Sequence, residues 1–194
     1  MNKNILFITL LLLVACANEH AKKALPSPGK TDIEEIVKVI VLQDSLNNTG
    51  IPLSQDLTKI NLELKDCDTI SPIGHESLNI NRLLRDQLDN HYFFAKRDSS
   101  DLVSQNKIIK SFKLDSLFLK IIKLTNNKQV QGLRKAGEFA RYYEITLPLF
   151  SSDGKKAWVE LNDYCPLCGY GLTIFLEKIR GHWTILHQAQ NWIS

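Results

Sequence analysis

The final third of the chain restricts the fold more than any other stretch. From Arg141 the sequence reads RYYEITLPLF, with apolar side chains at Tyr143, Ile145, Leu147 and Leu149. A period of two marks a strand with one face against a core. SSDG at 151–154 supplies a turn, with Gly154 able to take a positive φ. KKAWVEL resumes the strand pattern, and GLTIFLEKI and HWTILHQA follow as two further strands meeting at Arg180-Gly181. The spacing predicts an antiparallel meander of about four strands.

Upstream the period changes. Ile33, Ile36, Val37, Ile40 and Val41 fall on one helical face, and Thr31-Asp32-Ile33-Glu34 fits a capping box with Thr31 as N-cap and Glu34 at N3. A helix is expected from about 32 to 46, stopping near Asn47-Asn48-Thr49-Gly50. Glu34 and Glu35, neighbours on the first turn, read as dipole partners and solvent face rather than a catalytic pair. In the middle, Asp56 to Asp68 alternates around Ile60, Leu62 and Leu64 as a strand, 81–90 reads as a short helix and His91 to Ala95 as a strand. Residues 99–109 read as helical, and Asp115 opens a second short helix through Leu117, Phe118, Ile121 and Ile122. The expected fold class is α+β: an N-terminal helix packed on an antiparallel meander, with short helices inserted mid-chain, as one domain over 31–194.

Composition narrows function mainly by exclusion. The 194 residues are 44% hydrophobic, enough for an ordinary core, and the net charge of +3 forms no basic stripe, so nucleic acid is not an expected partner. There is no Gly-rich phosphate loop and no G-x-S-x-G elbow. His75, His91, His182 and His187 lack the spacing of a catalytic or metal set. No catalytic residue, cofactor or metal is expected.

YCPLCGYG, residues 164–171, carries the one chemical hint. Cys165, Cys168, His182 and His187 give C-x2-C-x13-H-x4-H, a loose zinc-finger spacing. A finger needs both histidines on a helix, whereas GHWTILHQAQ alternates like a strand, and an odd separation places 182 and 187 on opposite faces. A thioredoxin-type site needs a helix after the cysteines to lower the first thiol's pKa, and here Gly-Tyr-Gly and a β-pattern follow. A local Cys165–Cys168 disulfide, or a turn made by Pro166, Gly169 and Gly171 with incidental thiols, fits better, and a structural role is favoured. Tyr164 and Tyr170 flank the stretch and, with Trp183 and Trp192, are the candidate ligand or partner surface, although the tryptophans read first as core or rim aromatics.

The N-terminus, MNKNILFITLLLLVACANEH, sets Lys3 before an apolar run from Ile5 to Val14, shorter than the about 20 residues of a membrane-spanning helix. Leu13-Val14-Ala15-Cys16 then resembles the bacterial lipobox. The resemblance implies a lipoprotein signal peptide over 1–15, acylation of Cys16, and a flexible tether to residue 30 containing Pro26, Pro28 and Gly29. At about 0.8 kcal/mol per buried CH₂, two or three acyl chains make the membrane a firm partner. Ala17, rather than Asp, matches the sorting rule of enteric bacteria for the outer membrane. With Cys16 acylated, Cys67, Cys165 and Cys168 cannot all pair within one chain. From about residue 142, LPLFSSDGKKA, the Tyr-Cys and Cys-Gly-Tyr-Gly loop, Leu-Glu-Lys, Gly181-His182-Trp183 and the final Trp192-Ile193-Ser194 resemble small lipoproteins of Gram-negative bacteria ending in Trp-Ile-Ser. That resemblance supports the fold and implies no activity. Asp44-Ser45-Leu46, Asp68-Thr69-Ile70 and Asp115-Ser116-Leu117 resemble a tripeptide that some Gram-negative bacteria O-glycosylate.

The expected function is a lipid-anchored, non-enzymatic binding or interaction module of the cell envelope. Its narrower form is an inhibitor or immunity protein with one protein partner. The alternative is an envelope thiol–disulfide enzyme using Cys165 and Cys168.

Overall fold

The computed structural model describes residues 29–60, 62–63, 78–108 and 111–194. In chain order the elements are α1 (Lys30–Gln43), β1 (Leu53–Ser54), β2 (Asp56–Leu57), β3 (Leu62–Glu63), β4 (Leu78–Asn79), α2 (Ile80–Arg85), β5 (Gln87–Leu88), β6 (His91–Tyr92), α3 (Ser99–Ile108), β7 (Phe112–Lys113), β8 (Leu124–Thr125), α4 (Asn127–Lys135), β9 (Tyr142–Ile145), β10 (Leu149–Phe150), β11 (Lys156–Tyr164), β12 (Tyr170–Ile179) and β13 (His182–Ile193). The fold is α+β, with its N-terminal helix on the main sheet. No helix among the described residues is long and apolar enough to cross a membrane.

The main sheet runs β13-β12-β11-β9-β1-β8, with β10 also pairing β11. Antiparallel pairing holds from β9 and β10 through β13, as the short links between successive strands require. β1 instead pairs in parallel with both β8 and β9, so the sheet is mixed. The β12–β13 hairpin closes at Arg180-Gly181, where φ is +51° and +88°, the two positive values that match a tight turn to strand twist.

The two faces are covered differently. α1 buries Ile33, Ile36, Val37, Ile40 and Val41 against Ala157, Val159, Leu161, Ile174, Leu176 and Trp183. Each such aliphatic side chain contributes about 1.5–3 kcal/mol relative to exposure. The other face brings Leu149, Trp158 and Phe175 against Ile60, Ile80, Leu83, Phe93, Phe94 and Leu102 from the middle of the chain. Asp98, itself buried, pins that layer by accepting from the Ala95 and Ser152 amides and the Ser152 hydroxyl.

Several local expectations are corrected. α1 begins at Lys30 with Gly29 as N-cap and no side-chain cap, so Thr31 and Glu34 form no capping box. Helical geometry already includes Thr31, and the first-turn acid Asp32 reaches across to the sheet instead. The strand expected over 56–68 survives only as β2 and β3, with 61 and 64–68 outside the described residues. His91–Ala95 keeps two strand residues, because Asp89 and Asn90, both at positive φ, turn β6 back on β5. Leu149 does not share a face with Tyr143, Ile145 and Leu147. Ile145 pairs Leu161 but Leu149 pairs Trp158, so one extra residue between them flips the alternation. Helices over 99–108 and 116–120 stand where the pattern places them, the latter as a 3₁₀ turn capped by Asp115. α4 went unread because only Val130 is buried. Its signal was polar: Asn126 and Gln129 cap each other reciprocally at 3.0 and 3.1 Å.

Candidate functional site

The Cys-x-x-Cys stretch is the turn between β11 and β12, and Cys165 and Cys168 are joined in a disulfide with their Cα atoms 5.1 Å apart. No helix follows; β12 begins at Tyr170. The two glycines of Cys-Gly-Tyr-Gly have a packing reason. A Cβ on Gly171 would collide with the indole nitrogen and Cδ1 of Trp192, and one on Gly169 would sit 2.8 Å from the Asp163 carbonyl and 3.0 Å from the Trp192 ring. The indole therefore lies on backbone that only glycine leaves open. It is fixed there by donating from Nε1 to the buried Asn162 Oδ1 at 2.8 Å. Two residues on, the Ser194 amide donates to the Gly169 carbonyl at 3.0 Å, and the Gly169 amide donates to Ser194 Oγ at 2.9 Å. The turn is thus held by a covalent bridge on one side and by the Trp192–Ser194 clasp on the other.

An aromatic row lies on the sheet face that carries Trp192. Tyr142 and Tyr164 stack with ring centres 5.1 Å apart, and Trp192 tilts against Tyr164 at 6.4 Å. The Tyr164 hydroxyl donates to Glu144 Oε1 at 3.4 Å, and the Thr58 hydroxyl reaches the same oxygen at 3.1 Å. Burial, then the nearby Glu144 charge, pushes the Tyr164 pKa far above the ordinary phenol value, and burial raises that of Tyr142. Both phenols stay protonated at any physiological pH. They serve as hydrogen-bond donors and apolar surface rather than as bases or nucleophiles. Asp163 and Tyr170 pair on the α1 face. There the fully buried Asp163 receives both Nε and Nη2 of Arg141, at 3.1 and 2.6 Å, which raises the arginine pKa.

The four expected surface aromatics therefore separate. Tyr164 and Trp192 share a face, and Tyr170 belongs to the other. Trp183 is no surface residue: it is 3% exposed beneath α1, donating from Nε1 to Asp32 Oδ1 at 2.9 Å. The parity argument for the histidines also needs correction. A bulge in β13 makes His182 and His187 pair Ile179 and Phe175, which lie on one face. His182 lies 3.3 Å from Glu35, and His187 packs against the Phe175 ring. Among the described residues no group of three His, Cys, Asp or Glu side chains gathers as a metal site. Cys16, Cys67, His75 and Asp68-Thr69-Ile70 lie outside the described residues. Asp44 accepts from Gln188 at 2.8 Å, and Asp115 caps its 3₁₀ turn, which gives two of the three Asp-Ser/Thr motifs structural duties.

What the sequence did not show is where large apolar side chains stay in water. Leu167 is 91% exposed, Phe139 83% and Ile193 77%. Leu167 tops the disulfide turn, Phe139 precedes β9, and Ile193 ends β13. Tyr142 pairs Tyr164 and Tyr170 pairs Ile193, so all three sit at the same end of the sheet, beside the aromatic row. Residue type alone carries no signal for exposure. No family model, no curated protein and no solved structure matches the chain.

Proposed function

We propose that this protein is a lipid-anchored, non-enzymatic binding module of the cell envelope and that it binds through the loop end of its sheet. The observation that carries the reading is Leu167: a leucine 91% exposed at the apex of a turn fixed by a disulfide and by the Trp192–Ser194 clasp. A singly exposed leucine needs no explanation, but one held on a rigid apex beside stacked Tyr and Trp rings is preorganised for contact, which lowers the entropy cost of binding. The lipobox at 13–16 supports the anchor, with Cys16 as the acylated residue and the outer membrane as its location. An inhibitor or immunity role is the narrow form of the same reading. For thiol–disulfide exchange the local geometry offers no support, because β12 and not a helix follows Cys168, and no helix among the described residues begins at the cysteines.

The test is proximity labelling in intact envelopes with the full chain and its Leu167→Asp variant. The wild type is expected to label a small set of neighbours that the variant loses, while both stay in the membrane fraction. Identical neighbour sets would contradict the assignment of the binding end.

A further inference from the structure

The chain enters the domain at the end of the sheet opposite the loop. At the start of α1, Asp32 accepts from Lys178 Nζ at 2.6 Å and from Trp183, and Glu35 lies 3.3 Å from both His182 Nδ1 and the Trp183 amide. Those partners flank the Arg180-Gly181 turn. Leu167 and Ile193 lie at the far end of β12 and β13, and the ten residues of β12 alone rise about 33 Å. The twelve residues 17–28 between Cys16 and Gly29 reach about 41 Å only when fully stretched. In an anchored domain the Arg180-Gly181 end therefore lies nearer the bilayer, and the loop end faces away from it at any reach well short of that maximum.

Charge adds a second constraint. The last turn of α4 carries Arg134 and Lys135, and the Arg134 charge reaches the Tyr142 phenol at this same end. Arg141 is already matched by Asp163. The apolar apex therefore has Arg134 at its flank, with Lys135 and the exposed Glu138 next to it along the chain.

Building on the anchored reading above, we infer that the loop end docks into a second protein, in an apolar recess that receives Leu167 and is rimmed by carboxylates facing Arg134 and Lys135. Hydrophobic contact at the apex supplies affinity, and the flanking charges set approach and register. The anchoring bilayer is the competing occupant, since exposed apolar side chains beside Tyr, Trp and basic residues also suit a lipid interface.

The experiment places a photoreactive benzoylphenylalanine at residue 167, and separately at residue 180, in the full chain in its own envelope. The expected result is a protein adduct of defined mass from position 167 and lipid adducts from position 180. The position-167 adduct should fall at least fivefold in Arg134→Glu/Lys135→Glu and at high ionic strength. A lipid adduct at 167, or no adduct, would overturn the inference. So would a protein adduct undiminished by charge reversal. If alkaline carbonate strips the chain from membranes, the anchored reading fails instead, and the 167 adduct decides the docking surface by itself. Residue 167 is too exposed for its replacement to unfold the domain, and far-UV circular dichroism of both charge-reversed and cross-linker variants verifies this.

Discussion

Trp183 and Trp192 stand nine residues apart on one strand and do opposite work. Each donates its indole N–H to a side-chain oxygen at nearly the same distance, 2.9 Å to Asp32 and 2.8 Å to Asn162. Trp183 is 3% exposed, edge-on to Phe150 at 5.6 Å and roofed by α1, so its hydrogen bond ties the helix to the sheet. Trp192 is half-buried over Gly169 and Gly171, so its hydrogen bond ties a loop to the surface it presents. The register explains the split. Trp183 pairs Lys178 on the α1 face, Trp192 pairs Gly171 on the other, and the two bulges between them cancel in parity. One tryptophan builds the scaffold and the other holds its loop end in place.

That contrast can be broken from either side. Trp183→Ala should cost the most, about 3–5 kcal/mol, as a large cavity opens in the principal core. Chemical denaturation would show it, with α1 losing hydrogen-exchange protection first. Gly171→Ala should cost about 1–3 kcal/mol through overpacking, because Trp192 must leave its seat. Here tryptophan fluorescence should shift to the red while α1 protection is unchanged. If instead α1 loosens, the two ends are not independent. Replacing Cys165 and Cys168 by Ser should cost about 2 kcal/mol, the chain-entropy value for so short a loop, and calorimetry measures it. The smallest effect concerns acid. Burial pulls the Asp32 pKa upward, but hydrogen bonds from Lys178 and Trp183 outweigh it and hold the carboxyl below its ordinary value. Its stabilisation is therefore complete above the unfolded value of about 3.9 and is lost as pH falls through the lower folded value. Near-ultraviolet dichroism of Trp183 should weaken in that acid window, and Asp32→Asn should flatten the change.

Legibility from sequence followed burial. The α1 face was readable because one side of the helix is packed, and β11 to β13 because apolar and β-branched runs between turn residues mark strands even where, as in β11, both faces are covered. The alternation misled at two places, between Ile145 and Leu149 and near His187, because a bulge changes face without changing composition. α4 was invisible to an apolar period, and the polar Asn126-x-x-Gln129 signal was the one to read. At the site, the glycines of Cys-Gly-Tyr-Gly could be read as a turn but not as a seat, since the indole that needs them arrives from two dozen residues later. Leu167, Phe139 and Ile193 had no pattern at all, because they stay exposed and nothing among the described residues buries them to impose one.

Binding through the loop end requires that end to be rigid rather than merely exposed. Amide hydrogen exchange at Gly169 and Ser194, followed by NMR in the oxidised chain and in Trp192→Ala, tests this directly. These two amides donate across the clasp, so both should be protected in the oxidised chain, and protection should collapse in the variant while the amides of α1 stay slow. Fast exchange at both positions in the unmodified, oxidised chain would contradict the account, for Leu167 would then ride on a loose loop with nothing preorganised to bind.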